Sequence, residues 1–257
     1  MRRFQLIELE DQSWFPGTIR DLATDYLQFV QTRLRFDRAI APLVKRVLDA
    51  AATTNIIDLC SGGSGPLLLL VKDLADEGRP ATVMMTDLYP NIPAFEAIAA
   101  QSDGRIDYER SPVDARAVPA ALPGLRTLFN AFHHLKPEDA RAVLHAAAAA
   151  RQPIAIFEIS ERRWRALIPV ALLTPILVLL ATPFMRPFLW RRLLWTYLVP
   201  LVPFTCCWDG IVSQLRAYSP DEMRALGGGS APMRWEAGQV PVVGGRARLS
   251  YLLGFPA

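Results

Sequence analysis

The sequence predicts an α/β fold built on a doubly wound, mostly parallel sheet of seven strands. Between residues 55 and 158, short apolar segments alternate with amphipathic ones, which is the pattern of β-α-β units. The first apolar segment ends in a glycine-rich turn, and right-handed crossovers wind such units into a doubly wound sheet. Segments 233–243 and 246–254 surround Gly244-Gly245 and predict a closing antiparallel hairpin.

The individual elements follow from the spacing of apolar residues. The predicted strands before the hairpin are 55–59, 81–86, 106–108, 127–132 and 154–158, and the predicted helices between them are 67–74, 92–100 and 137–150. Near the amino terminus, apolar side chains at helical spacing predict two helices, in 21–34 and 40–48. Ser219 followed by Pro220 predicts the start of one more helix, before the closing strands.

Length and charge narrow the class of protein. A chain of 257 residues is long enough for one large domain and too short for two full ones. The net charge of +3 comes from scattered arginines, which argues against a nucleic-acid partner. The cysteines, Cys60, Cys206 and Cys207, are odd in number and show no zinc-ligand spacing, so we expect reduced thiols, no metal site and a cytoplasmic protein. The first 14 residues lack the apolar stretch of a secretory signal.

An apolar segment interrupts the strand-helix alternation after the fifth strand. Residues 166–184 and 193–208 carry no charge, and Arg186, Arg191 and Arg192 lie between them. The strands on both sides must share a compartment, so a crossing hairpin would carry these arginines through the bilayer, against the positive-inside rule. We therefore expect no full span. The segment is instead expected to lie peripherally on the inner face of a membrane, or to cover the active site and form a homodimer interface.

These segments define the predicted domain organisation. Residues 1–54 form a helical cap, residues 55–257 form the α/β domain, and an apolar helical insert occupies 162–216.

A glycine-rich loop lies where the first strand meets its helix. Its sequence runs from Asp58 through Cys60-Ser61-Gly62-Gly63 to Gly65. Glycines allow a tight turn and a close approach to a ligand, and the following helix start favours a negative group. The loop is not the G-x-G-x-x-G of a nicotinamide-dinucleotide site. Asp87 closes the second strand, where a carboxylate can accept two ribose hydroxyls.

These residues, with Val113-Asp114 after the third strand and Asn130 after the fourth, resemble the motifs of class I S-adenosylmethionine-dependent methyltransferases. The resemblance covers residues 55–160 well and the closing strands loosely. It implies that S-adenosylmethionine is the cofactor, with its methionine part on the loop, its ribose on Asp87 and its adenine near Asp114. The residues predicted to bind the cofactor are Asp58, Cys60, Ser61, Gly62, Gly63, Gly65, Asp87, Leu88, Val113, Asp114 and Asn130.

Two further segments suggest the methyl acceptor. Residues 10–16 with Arg20, and Trp208-Asp209-Gly210 with Arg216 and Tyr218, resemble a subgroup of bacterial and fungal methyltransferases associated in part with esterification of small acids. An acid held between the two arginines and aromatic side chains is already ionised at neutral pH and needs no base. We therefore expect O-methylation of a small or lipophilic acceptor, with a carboxylic acid as the favoured class. The predicted substrate-binding residues are Trp14, Arg20, Trp208, Asp209, Arg216 and Tyr218.

Three alternatives remain open. Methylation of a phenol would require His133 or His134 as general base, and these two histidines stand with Arg216 as the predicted catalytic residues. Aminopropyl transfer shares this fold, but the chain lacks an evident acidic motif for a polyamine. A non-catalytic membrane-associated protein could retain the fold and use the insert as an anchor, and it would not need to bind the cofactor.

Overall fold

The computed structural model describes residues 1–63, 65–229, 233–245 and 247–256. Ser64 of the predicted loop and Arg246 of the predicted last strand lie outside this part of the chain. The chain forms two compact units. The helical unit consists of Met1–Arg33 and Ser160–Tyr218, and the sheet unit consists of Leu34–Ile159 and Ser219–Ala257.

The sheet unit contains a seven-stranded sheet in the order β3-β2-β1-β4-β5-β7-β6. Its strands are β1 Asn55–Asp58, β2 Thr82–Met85, β3 Ile106–Tyr108, β4 Leu125–Phe129, β5 Ile154–Glu158, β6 Met233–Val242 and β7 Ala247–Pro256. The first five strands are parallel, whereas β7 runs antiparallel to both β5 and β6. The predicted α/β class, the mostly parallel sheet and the closing hairpin are therefore confirmed.

Some of the helices belong to the sheet unit, and the others form the helical unit. They are α1 Gly17–Leu34, α2 Asp37–Ala50, α3 Leu67–Asp76, α4 Ile92–Ala99, α5 Pro137–Ala149, α6 Trp164–Ala181, α7 Trp190–Leu193, α8 Leu201–Arg216 and α9 Pro220–Gly227. In the sheet unit, α2, α3 and α4 share one apolar core with the sheet, while α9 contacts α5 and β6. Ser219 accepts the Glu222 N–H and Glu222 accepts the Ser219 N–H, so the predicted helix start is confirmed as a capping box.

Two of the differences between predicted and observed boundaries have a clear physical cause. The compact units divide the chain at Arg33 instead of residue 54, because the apolar face of α2, including Val44 and Leu48, packs within the core of the sheet unit. The fourth strand ends at Phe129 and does not continue to residue 132. Asn130 adopts a positive φ of 51°, which breaks the extended backbone, and a short 3₁₀ turn follows.

The helical unit confirms that the segment after the fifth strand is helical. Pro169 and Pro175 lie inside α6, and Val178 is the buried residue of this helix. The segment Trp164–Phe184 is long and apolar enough to cross a membrane, with a mean hydropathy of 2.2, yet only 11% of that window is buried. Trp190–Leu198 and Leu201–Arg216 pass the same test when taken together, but they are bent by 73°.

Gly124 and Gly78 provide a matched test of backbone constraint. Both have positive φ, 148° and 72°, but a Cβ at Gly124 would lie 2.6 Å from the carbonyl oxygen of Asn55, whereas one at Gly78 would meet nothing within 4 Å. We expect Gly124→Ala to lower the free energy of unfolding by about 3 kcal/mol, because it adds a clash to the strain. Gly78→Ala should cost about 1 kcal/mol, through strain alone. Urea denaturation measures both, and equal losses would contradict the close-approach argument.

Candidate active site

A buried carboxylate at the end of β1 holds the glycine-rich loop through a hydrogen bond. Asp58, the last residue of β1, is 2% exposed. Its Oδ2 accepts a hydrogen bond from the Ser61 hydroxyl and its Oδ1 accepts one from the Thr127 hydroxyl, both at 2.7 Å. Asp58 was predicted to bind the cofactor, and these contacts favour a different task, which is to hold the loop against β4.

The loop itself is shaped by residues with positive φ. Cys60, Gly62 and Gly65 have φ values of 57°, 50° and 48°, a conformation that costs glycine almost nothing and other residues about 1 kcal/mol. The Ser61 N–H donates to the Thr86 carbonyl at 3.0 Å, which ties the loop to the end of β2. Gly62 is exposed and Gly63 is half-buried, so this part of the loop presents backbone to a ligand.

Asp87 connects the loop to the next motif along the sheet edge. It follows β2 and is half-buried. Its Oδ2 accepts the Gly62 N–H at 3.0 Å and its Oδ1 accepts the Tyr89 N–H at 2.9 Å, while Leu88 between them is exposed. A carboxylate has about four lone-pair sites, so Asp87 can accept two hydroxyls in addition. The structure thus brings two of the predicted cofactor elements into direct contact.

The third predicted motif is attached to Asp87 through the backbone. The Val113 N–H donates to the Asp87 carbonyl at 2.8 Å, and the Val113 side chain is buried. The Asp114 carboxylate binds the Arg116 guanidinium at 2.7 Å, which holds the pKa of Asp114 below its usual range. Arg116 also bridges to Asp139 on α5 at 2.7 Å. Asp114 is therefore ionised and fixed in direction at this edge of the sheet.

A buried acid and a histidine meet at the ends of β4 and β5. Glu158 is fully buried, and its Oε1 accepts the Phe132 N–H at 2.7 Å while its Oε2 lies 2.5 Å from Nδ1 of His133. Asn130 Oδ1 accepts the Ile159 N–H at 2.8 Å, so it too joins the two strand ends. Glu158 was not predicted as a site residue, although an acid that follows four apolar residues of a buried strand is a usable signal.

The two histidines predicted as bases differ in their surroundings. His133 is buried beside Glu158, whereas His134 is half-buried, and their ring centroids lie 4.3 Å apart. A carboxylate at Nδ1 favours the tautomer with hydrogen on that nitrogen, which makes Nε2 the basic one. This arrangement favours His133 over His134 as a proton acceptor.

Cys60 is not equipped to act as a nucleophile. Burial, together with the negative charges of Asp87, Asp58 and Asp114, raises the pKa of its thiol to about 12. The thiolate, which is the reactive form, is therefore scarce at neutral pH. Covalent catalysis through this cysteine is disfavoured.

The residues predicted to bind the acceptor lie in the helical unit, where they contact the amino-terminal segment. Asp209 on α8 accepts the Leu9 N–H at 2.7 Å and the Glu10 N–H at 3.0 Å. The indole N–H of Trp208 donates to the carbonyl of Ile7 at 3.0 Å. The two sequence segments that suggested an acceptor site are thus bound to each other.

The two arginines of the predicted carboxylate clamp are engaged in the same way. Arg216 is 5% exposed and pairs with Asp11 at 2.8 Å and with Glu8 at 3.3 Å. Arg20 donates to backbone carbonyls, including those of Glu10 at 2.8 Å and Gln12 at 2.6 Å. These contacts favour a structural role for both arginines over a clamp for an acid.

The two remaining aromatic residues of the predicted acceptor site, Trp14 and Tyr218, have opposite environments. Tyr218 is buried, with the Arg3 guanidinium 4.1 Å from its ring centroid. Trp14 is 70% exposed and its ring meets that of Phe15 edge-on. Trp14 is thus accessible, whereas Tyr218 is part of the packed helical unit.

Solved methyltransferase structures share this fold. A proposed O-methyltransferase from Nostoc punctiforme aligns with a TM-score of 0.51 at 12% identity, over 90% of this chain and 59% of that one. An O-methyltransferase family protein from Burkholderia thailandensis gives a TM-score of 0.46 at 17% identity, over 86% of this chain and 58% of that one. This chain therefore spans less than two thirds of either protein. No protein-family model matches the sequence. No curated protein sequence matches it.

Together, the strand order and the structural match establish the fold. The chain has the fold of class I S-adenosylmethionine-dependent methyltransferases. At these sequence identities the likeness concerns the fold alone, so the activity has to be argued from the site.

The buried Asp58 should give the stability a distinctive pH dependence. Burial raises the pKa of Asp58 to about 7, so between about pH 4 and pH 7 the folded chain holds a proton that the unfolded chain has lost. The free energy of unfolding should therefore fall as pH rises through this window, by up to about 1.4 kcal/mol per pH unit from this group. Asp58→Asn should remove that slope in urea denaturation, whereas Asp76→Asn, at an exposed acid on α3, should preserve it. Parallel profiles for wild type and Asp58→Asn would contradict the assignment.

Proposed function

We propose that this chain is an S-adenosylmethionine-dependent methyltransferase that methylates a hydroxyl oxygen of a small or lipophilic acceptor. The observation that carries the proposal is the contact between Asp87 and the Gly62 N–H. It joins an acidic strand end to an exposed glycine loop at the edge of the sheet where open α/β folds bind ligands. The methyltransferase fold supports this interpretation.

The donor groups at this edge fit the chemistry of the proposed cofactor. Asp87 would accept the ribose hydroxyls, since its oxygens retain acceptor capacity beyond the two backbone N–H groups. The backbone of Gly62 and Gly63 would lie against the methionine part, and Val113 with Asp114 would border the adenine. When bound, S-adenosylmethionine supplies an electrophilic methyl group on a sulfonium. The role of the chain is then to align an acceptor oxygen with that group.

The His133–Glu158 pair favours a hydroxyl acceptor over a carboxylic acid. A phenol or alcohol is neutral at pH 7 and must lose a proton as its oxygen attacks, whereas a carboxylate is already ionised. Glu158 orients the imidazole through Nδ1, so Nε2 of His133 is the nitrogen that would receive the hydroxyl proton. Arg216, the main support for an acid, is instead paired with Asp11 and Glu8.

Cofactor affinity tests the first part of the proposal. We expect S-adenosylhomocysteine to bind with a dissociation constant in the micromolar range, about −8 kcal/mol, by calorimetry. Asp87→Ala should weaken binding by about 1–3 kcal/mol, because the ribose donors lose a charged acceptor. Asp76→Ala, which removes an exposed acid from α3, should leave the affinity unchanged. Failure of the wild-type protein to bind would refute the methyltransferase assignment and favour a non-catalytic role.

Acceptor chemistry tests the second part. A panel of phenols, alcohols and carboxylic acids, with S-adenosylmethionine turnover as readout, should show activity on hydroxyl compounds. His133→Asn should lower kcat/KM on the best of them by on the order of 100-fold while S-adenosylhomocysteine still binds normally. His134→Ala is the matched control and should retain most activity.

Further variants distinguish methylation of a hydroxyl acceptor from methylation of a carboxylic acid. Glu158→Gln should reduce kcat on hydroxyl acceptors, because it removes the charged acceptor at Nδ1 of His133. Turnover of acids only, lost in Arg216→Ala and kept in His133→Asn, would replace this proposal with carboxyl O-methylation.

A further inference from the structure

The helical unit exposes an unusual amount of apolar surface between residues 164 and 208. Among the described residues, 18 of the 27 exposed large apolar side chains lie in this stretch, which is less than a fifth of the chain. Leu172 and Leu180 of α6 are 64% and 63% exposed, and Leu198 is 76% exposed. We call the 18 exposed apolar side chains between residues 164 and 208 the insert face. Apolar side chains gathered in one short stretch mark an interaction site, because isolated exposed ones would be spread over the surface.

Within the stretch that carries the insert face, all charged residues have one sign, although Glu161 next to it pairs with Arg163 and Arg165. Residues 162–208 contain six arginines and no aspartate, glutamate or lysine. Arg163 and Arg165 lie at the start of α6 with more than half of each side chain exposed, and Arg186 and Arg191 are exposed beyond its other end. An apolar surface bounded at both ends by arginines complements a bilayer with anionic headgroups.

Exposed tryptophans lie beside these arginines. Trp164 is 63% exposed at the first turn of α6, and Trp190 is 78% exposed next to Arg191. Indole rings favour the boundary between hydrocarbon and headgroups, where one part of the ring is apolar and the N–H meets water. Tryptophans and arginines therefore occur together before and after the exposed leucines of α6 in the chain.

The packing of α1 argues that the insert lies on the bilayer and does not cross it. Tyr26 and other apolar residues of α1 pack against Val178 and Met185, which lie towards and beyond the carboxyl end of α6. Asp25 of α1 pairs there with Arg192 at 2.7 Å. A crossing hairpin would draw this charged helix into hydrocarbon, where ionised side chains are costly. With the insert face on the membrane surface, Asp25 stays at the water side.

From these observations we infer that the helical unit binds the surface of an anionic lipid bilayer through the insert face, without spanning it. The apolar side chains enter the interfacial region, the flanking arginines meet the headgroups, and α1 remains in water. This inference is independent of the proposed catalytic activity, since none of its residues belongs to the sheet unit.

Vesicle flotation with the full chain tests the binding. The protein should float with vesicles of phosphatidylcholine and phosphatidylglycerol, and at least tenfold less with phosphatidylcholine alone. Leu180→Glu should reduce the bound fraction at least tenfold, because it places a charge in the insert face. Leu27→Glu, at an exposed leucine of α1 in the same unit, should bind like wild type. Arg191→Glu should weaken binding to the anionic vesicles several-fold. Equal binding by Leu180→Glu and wild type would overturn the inference.

Two further measurements distinguish surface binding from its rivals. Brominated lipids should quench tryptophan fluorescence more when the bromines lie near the headgroups than near the bilayer centre, and Trp190→Phe should reduce this quenching. Stronger quenching from the centre, or retention of the protein in the membrane pellet after an alkaline carbonate wash, would indicate a crossing hairpin and overturn the inference. So would a lipid-independent dimer in light scattering that Leu180→Glu dissociates, because a second copy would then cover the insert face.

Discussion

The carboxylate of Asp58 is the constraint on which the candidate site depends. It is buried at the end of β1, yet both oxygens accept hydroxyls, one from the loop and one from β4. Removing one of these partners would leave a buried polar group unsatisfied, which costs more than the hydrogen bond contributes. The loop therefore has one favoured path, and the positive φ of Gly62 places its N–H where Asp87 can accept it.

Hydrogen bonds to Asp87 extend these connections along the edge of the sheet. Its carbonyl accepts the Val113 N–H, so the segment after β3 takes its position from the segment after β2. At the other side, Glu158 and Asn130 connect the ends of β5 and β4. Each connection uses a polar group at a strand end to satisfy the backbone of its neighbour, which is why a parallel sheet can present a continuous row of oriented groups there.

Local sequence patterns were sufficient for most of the sheet unit. Strands 106–108 and 154–158 were predicted at their observed bounds; the first alternates apolar and polar residues, and the second is a buried apolar run that ends in Glu158. The end of the fourth strand was predicted at residue 132 instead of Phe129, since Phe132 continues the apolar run although Asn130 has already turned the backbone. The cofactor residues could be predicted together because parallel strands end at one edge, so their order in the chain implies their proximity.

The helical unit shows where such patterns fail. The partners of Arg216, Glu8 and Asp11, lie more than 200 residues earlier, and nothing in the local sequence reveals that they meet. An arginine beside aromatic residues has the same appearance whether it holds a ligand or a distant carboxylate. Glu158 was missed for a related reason, since its importance comes from contact with His133 on a different strand end. Long-range pairing of polar groups is the information that a single sequence does not display.

The interleaving of the two units has a consequence for biosynthesis. Residues 1–33 emerge from the ribosome before β1 to β5, whereas α8, which supplies Asp209 and Arg216 as their partners, emerges only after those strands have been made. The amino-terminal segment must therefore wait, solvated and without its long-range contacts, while the strands of the sheet unit become available to pair. The sheet unit also depends on late synthesis, because β7, the neighbour of β5, and β6 follow α8 in the chain.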